Sequence, residues 1–214
     1  MAHLADTLIS NLKGSDTFSS PYPHWLLKEV FTADAARVVD ELDIPMGASL
    51  DYCGRRELNN SQRAFFDAER QAENQTVASI AQAFKSPKTI ATIEALTGTD
   101  LTGSLLRLEF AQDTDGFWLE PHTDIGVKLF TMLWYLSVGE GSDNCGTDIF
   151  DGQGNLIKSA PFNFNSGLIF IPGTDTWHGF NKRKINGVRK SLIINYVKPE
   201  WRSRHELAFQ DPVK

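Results

Sequence analysis

Thr176-Trp177-His178-Gly179-Phe180-Asn181-Lys182-Arg183-Lys184-Ile185, then Asn186-Gly187, then Val188-Arg189-Lys190-Ser191-Leu192-Ile193-Ile194-Asn195-Tyr196-Val197, is the stretch on which the fold reading turns. An Asn-Gly pair between two such runs is the strongest short hairpin signal, because both residues accept the positive φ of a tight turn. The reading predicts paired strands over Thr176 to Ile185 and Val188 to Val197. Upstream, Gly167-Leu168-Ile169-Phe170-Ile171 is a further strand, bounded by Asn165-Ser166 and Pro172-Gly173. Leu129 to Leu136 reads as a buried strand, and Leu105 to Phe110 alternates as a strand does. Many short strands separated by Gly, Asn and Pro turns point to a β-sandwich or barrel.

The first hundred residues read differently. Thr32 is a helix N-cap, with Ala35, Val38, Val39 and Leu42 on one face of the helix that follows. Further helices are expected over Arg63 to Gln71 and Val77 to Phe84. A fourth is opened by Ser86-Pro87 and closed by Gly98. The expectation is one domain over 1–214: a mainly β core of about 105–198 with a helical N-terminal half packed on it.

Pro121-His122-Thr123-Asp124 carries the first chemical information. In an extended segment side chains alternate, so His122 and Asp124 share a face and can take two neighbouring positions on a metal. His178 supplies a second imidazole, fifty-four positions after Asp124. Two imidazoles and one carboxylate leave coordination positions open and suit iron(II) that must also hold an organic chelate and dioxygen. A catalytic zinc would accept the same set. Arg189 is suited to a distal carboxylate through bidentate geometry. In the expected hairpin Lys184 pairs Arg189 and His178 pairs Asn195, so Arg189, Ser191, Ile193 and Asn195 share a face with His178. A flat ladder would separate His178 from Arg189 by roughly 20 Å, a gap that coiling would shorten.

Together these residues resemble the 2-oxoglutarate/Fe(II)-dependent oxygenase superfamily, and within it the prolyl-4-hydroxylase-like branch. The resemblance runs from about Leu105 to Val197. His122 and Asp124 match the family's His-x-Asp, His178 its distal histidine, and Arg189 with Ser191 its Arg-x-Ser. Gly116, Thr131-Met132-Leu133-Trp134-Tyr135-Leu136, Gly146-Thr147-Asp148-Ile149-Phe150 and Gly167 to Gly173 are similar to its intervening pattern, and Pro21-Tyr22-Pro23-His24-Trp25 to its opening. The resemblance implies a double-stranded β-helix, or jelly roll, with Fe(II) on His122, Asp124 and His178. It implies 2-oxoglutarate as co-substrate held by Arg189 and Ser191, dioxygen as the oxidant, and hydroxylation of a small molecule or a peptide side chain with release of succinate and CO2. The branch's tyrosine before the His-x-Asp has no counterpart in Gly116-Phe117-Trp118-Leu119-Glu120; Thr131, Tyr135 or Arg107 stand as replacements. Because Asp124 is present, the halogenase variant is not expected.

Blander roles stand beside these. Asn195 either supports the metal site through a hydrogen bond or is a core amide. Arg107 and Lys128 line the pocket or sit at a strand edge. Trp118, Trp134, Trp177 and Phe180 are core or pocket wall. His24 is a structural histidine, and His3 and His205 are exposed. The basic stretch Asn181 to Lys190 is a solvated hairpin tip unless one of its cations binds a carboxylate. A formal net charge of -6 argues against a nucleic-acid partner, and no run reaches the ~20 apolar residues of a membrane span. Met1 to Asp6 has no basic region leading into an apolar one, and Cys53 and Cys145 form neither a disulfide framework nor a zinc ribbon, so a reduced cytoplasmic setting is expected. Two other classes compete. A cupin-like isomerase or dioxygenase without 2-oxoglutarate usually shows His-x-His and a later Glu, a pattern not found here. The other is a non-catalytic jelly-roll binding module. Substrate contacts are expected from Leu50 to Asn74 and Gly139 to Cys145.

Overall fold

The computed structural model describes residues 2–46, 54–56, 63–137, 139–140 and 144–213. Two antiparallel sheets form the jelly roll that the resemblance implies. The larger has seven strands: β1 (Asp16–Phe18), β2 (His24–Leu27), β3 (Arg63–Phe65), β4 (Leu105–Asp113), β6 (Lys128–Tyr135), β9 (Gly167–Phe170) and β11 (Arg189–Val197), in the order β1-β2-β9-β6-β11-β4-β3. The smaller has β5 (Leu119–His122), β7 (Asp148–Phe150), β8 (Leu156–Ser159) and β10 (His178–Phe180), in the order β5-β10-β7-β8. Five helices belong to the N-terminal half: α1 (Ala2–Lys13), α2 (Ala33–Asp40), α3 (Ala68–Glu73), α4 (Gln75–Lys85) and α5 (Pro87–Thr97). No described helix is long and apolar enough to cross a membrane.

Period-two alternation explains how the large sheet faces two environments. Leu106, Leu108 and Phe110 of β4, Phe130, Met132 and Trp134 of β6, and Leu192, Ile194 and Tyr196 of β11 share one core with Leu8, Leu12, Val39, Ile80, Phe84 and Ile93 of the helices. Each such apolar side chain contributes about 1.5–3 kcal/mol by leaving water. The alternate residues face the small sheet. Ala111, Leu133, Tyr135, Leu168, Phe170 and Ile193 form a second core there with Phe117, Ile149 and Phe180. The buried polar members of that inner face are Arg107, Glu109, Asp113, Thr131, Arg189, Ser191 and Asn195.

The helix ends follow local chemistry. The Thr32 hydroxyl accepts from Ala35 N and caps α2 as expected. Asn74 caps α4 by accepting from Thr76 N and Val77 N. Pro87 opens α5 and Gly98 closes it at φ 75°, but Ser86 makes no side-chain cap bond. The expected helix from Arg63 to Gln71 is corrected. Arg63–Phe65 is a strand paired with β4, and only Ala68–Glu73 is helical, capped by Asp67. The N-terminal half is also not purely helical, since it contributes β1, β2 and β3 to the sheet.

The Asn186-Gly187 hairpin is also corrected. β10 lies between β5 and β7 in the small sheet, whereas β11 lies between β6 and β4 in the large one. Gly187 does take a positive φ of 71°, but Asn181 to Val188 crosses from one sheet to the other. Its donors are engaged elsewhere: Asn181 N and the Arg183 guanidinium on Asp148, Ile185 N on Asp115 and Asn186 Nδ2 on the Glu140 carbonyl. A turn motif sets the local bend; the hydrogen-bonding edges already available to each strand decide its partners.

Candidate active site

His122 ends β5 and His178 begins β10, and the two residues are paired in register. Their rings lie 4.4 Å apart, centroid to centroid. This closeness depends on Gly179: a Cβ there would sit 2.9 Å from the Leu119 carbonyl and 3.0 Å from that of Glu120. One ligand atom from each of His122, Asp124 and His178 lies within 4.8 Å of the others. His122 Nδ1 is 2.7 Å from the Glu120 carbonyl, and His178 Nδ1 is 3.0 Å from that of Thr176. A carbonyl only accepts, so each Nδ1 carries the proton and each Nε2 lone pair is left for a metal. Burial lowers the His178 imidazole to about 4, against the pull of Asp124, so it is neutral at pH 7.

Asp124 is held from two sides. Its Oδ1 accepts from Lys128 Nζ at 2.5 Å and its Oδ2 from the Thr131 hydroxyl at 2.6 Å. Burial raises its carboxyl, but Lys128, His178 and these hydrogen bonds outweigh burial and hold it well below the ordinary carboxylate range. Thr131 in turn accepts from Asn195 Nδ2 at 2.9 Å, and Asn195 Oδ1 accepts from Arg107 Nη1 at 3.1 Å. Because the guanidinium has donors only, this chain fixes the amide's orientation and makes Thr131 a donor to Asp124. Arg107 continues to Glu206 at 2.5 Å and Glu109 at 2.6 Å, and Glu109 also binds Arg63. An unbroken polar path thus runs from Asp124 to a buried cluster of two arginines and two glutamates.

These groups line a cavity of about 410 Å3, within the usual range for small-molecule sites. Arg189 stands in the same cavity, buried among Tyr135, Phe162 and Phe180. Arg189, Ser191, Ile193 and Asn195 share one face of β11, and Arg189 and Ile193 line the cavity with His178, which stands in the other sheet rather than on a paired strand. Arg189 is not an isolated cation: Nη1 donates to Asp113 at 2.7 Å and Nε to the Cys145 carbonyl at 2.7 Å. Arg56 binds the same Asp113 through both carboxylate oxygens. Two guanidiniums thus face the Asp113 carboxylate at this end of the cavity. Ser191 Oγ is buried on β11 with no hydrogen-bond partner among the described residues.

The other expected residues are placed as follows. Thr131 lines the cavity and serves Asp124. The Tyr135 hydroxyl binds the Thr147 hydroxyl at 2.8 Å, and Thr147, not Tyr135, reaches the lining. Asn195 is not adjacent to the ligand atoms and acts through Thr131. Arg107 lines the cavity within its ion pairs, whereas Trp118 packs over Gly54 and is outside the lining. His24 is buried on the Tyr22 carbonyl, and His3 and His205 are exposed. Sequence reasoning missed Arg56, Arg63, Glu109, Asp113, Thr147 and Glu206. One available clue was the inward parity of Arg107 and Glu109 in an otherwise apolar strand. Cys53 lies outside the described residues, as do parts of the Leu50 to Asn74 and Gly139 to Cys145 stretches expected to contact substrate.

No family model matches the chain, and no curated protein sequence matches it. Solved structures do. A prolyl hydroxylase from Trichoplax adhaerens, in complex with a hypoxia inducible factor oxygen degradation domain peptide fragment, matches with a TM-score of 0.57 at 14% identity, over 91% of this chain and 89% of that one. A Pseudomonas putida prolyl-4-hydroxylase gives a TM-score of 0.57 at 15% identity, over 91% and 94%. A Burkholderia pseudomallei oxidoreductase of the 2OG-Fe(II) oxygenase family gives 0.54 at 14% identity, over 97% and 94%. The chain therefore has the fold of the 2-oxoglutarate/Fe(II) oxygenases, in a prolyl-hydroxylase-like form.

Proposed function

We propose that this chain is a 2-oxoglutarate- and Fe(II)-dependent oxygenase that oxidises a C–H bond of a small molecule or a peptide side chain. One observation carries the reading: two imidazoles and a carboxylate converge at a cavity that also presents a buried arginine. His122, Asp124 and His178 would hold the metal, a neutral-nitrogen and oxygen set with no thiolate that fits iron(II). Arg189 would take the distal carboxylate of 2-oxoglutarate, with Ser191 and Thr147 as neighbouring hydroxyls. When bound, metal and co-substrate activate dioxygen and release succinate and CO2. The chain's own contribution is orientation. The backbone carbonyls of Glu120 and Thr176 set the imidazole tautomers, and Thr131 and Lys128 set the carboxylate. Leu133, Phe180 and Ile193, with Arg189, shield the co-substrate from water.

The test is succinate formation from 2-oxoglutarate with iron(II) and oxygen, together with metal binding by titration. His122→Ala and Asp124→Ala are expected to lose turnover and at least tenfold in metal affinity. Arg189→Met is expected to raise the KM for 2-oxoglutarate at least tenfold while leaving metal affinity within threefold. Full turnover by both ligand variants would remove them from the site. Tight metal binding without any 2-oxoglutarate dependence would move the protein to another metalloenzyme class.

A further inference from the structure

Lys128 enters the cavity because of a register shift. Asn195 pairs Thr131 and Tyr196 pairs Phe130, but Val197 pairs Lys128, so one extra residue, Leu129, is accommodated in β6. Leu129 packs with the helix-side core, and Lys128 gains the inner face that strict alternation would have denied it. Its ammonium sits on Asp124 Oδ1 with 18% side-chain exposure, against 5% for the carboxylate.

The charged side chains in and behind the described lining fall into three groups. Arg63 and Arg107 meet Glu109 and Glu206. Arg56 and Arg189 meet Asp113. Lys128 offsets Asp124. A divalent metal changes only the third group: the ion balances Asp124 together with the keto-acid carboxylate of 2-oxoglutarate. Lys128 is then a cation without a counter-charge, partly desolvated and adjacent to the ligand set. An uncompensated cation in such a place favours an arriving anion.

Resting on the proposed oxygenase reading, we infer that Lys128 is the receptor for one anionic group on the substrate, which therefore belongs to the class of singly charged oxyanions such as carboxylates. Metal loading makes the receptor available, because the ion takes up the charge of Asp124 while the ammonium keeps its hydrogen bond to that carboxylate. Substrate anions are thereby admitted to the loaded site and refused by the empty one.

The probe is acetate, with sulfate and inorganic phosphate as alternative oxyanions and acetamide as the uncharged control. They are titrated calorimetrically into the protein loaded with Mn(II) and 2-oxoglutarate under anaerobic conditions. The expected result is saturable acetate binding, at least tenfold weaker in the metal-free protein and in Lys128→Met, retained within threefold in Lys128→Arg, and absent for acetamide. Tighter binding of sulfate or phosphate than of acetate would overturn the assignment of a singly charged anion. Equal acetate binding by wild type and Lys128→Met would mean direct attachment to the metal and overturns the inference. Mn(II) and 2-oxoglutarate are titrated first in all variants. If neither binds the wild type, the parent reading falls and takes this one with it; if both bind and acetate ignores Lys128, only this inference falls.

Discussion

Thr131 shows how much the candidate metal site depends on groups outside its ligand set. Its hydroxyl is a donor to Asp124 only because Asn195 donates to it, and Asn195 is turned that way because Arg107 offers nothing but donors. Thr131→Val keeps the shape and removes both bonds. It is expected to weaken Mn(II) binding about 10–100-fold, the range for residues that orient ligands, with the circular dichroism spectrum unchanged. Asn195→Ala leaves the hydroxyl in place but frees its rotation, and should fall between wild type and Thr131→Val. If both variants bind Mn(II) within twofold of wild type, the relay has no bearing on the carboxylate.

At the scale of elements, the site depends on how closely β5 and β10 approach. Gly179 separates His178 from Phe180 on β10, and the space for a Cβ is taken by two carbonyl oxygens of β5. Backbone does not yield as a flexible side chain does, so Gly179→Ala should cost about 1–3 kcal/mol in urea denaturation, typical of overpacking. Because both imidazoles belong to this strand pair, it should also lower metal affinity. Loss of stability with metal affinity intact would show that the strands separate elsewhere. The same pair explains what could be read beforehand and what could not. His122, Asp124 and His178 were legible because alternation is a local property and the residue types are chemically restrictive. Strands β4, β6, β9 and β11 were legible from runs of apolar residues, and α2 and α5 from Thr32, Pro87 and Gly98. The partner of β10 was not, because pairing depends on which edges the rest of the chain leaves available. Three-residue strands such as β7 and β10 carry too little pattern to mark themselves. Asp113 and Glu109 escaped notice for a related reason: a buried carboxylate needs its arginine, and Arg56 and Arg63 arrive from distant segments.

Across the whole molecule, the large sheet separates an apolar interior shared with the helices from a charged interior shared with the small sheet. The charged side is stable only while its ions are matched. Glu109, 2% exposed, is the hub between Arg107 and Arg63. Burial raises its carboxyl, but the guanidiniums of Arg107, Arg63 and Arg56 outweigh burial and hold it far below the ordinary glutamate value of 4.5. A carboxylate depressed in the folded state binds fewer protons there than in the unfolded chain. Its contribution is therefore complete above pH 4.5 and is lost as the pH falls below that value toward the folded-state pKa. Glu109→Gln removes the carboxylate charge that Arg107 and Arg63 share and should destabilise the protein by about 3–5 kcal/mol at pH 7. Between pH 4.5 and pH 2 the wild type should lose stability faster than the variant, so the difference between their denaturation free energies narrows. Parallel curves over that interval would show that Glu109 titrates normally and that the cluster is held by packing rather than by charge.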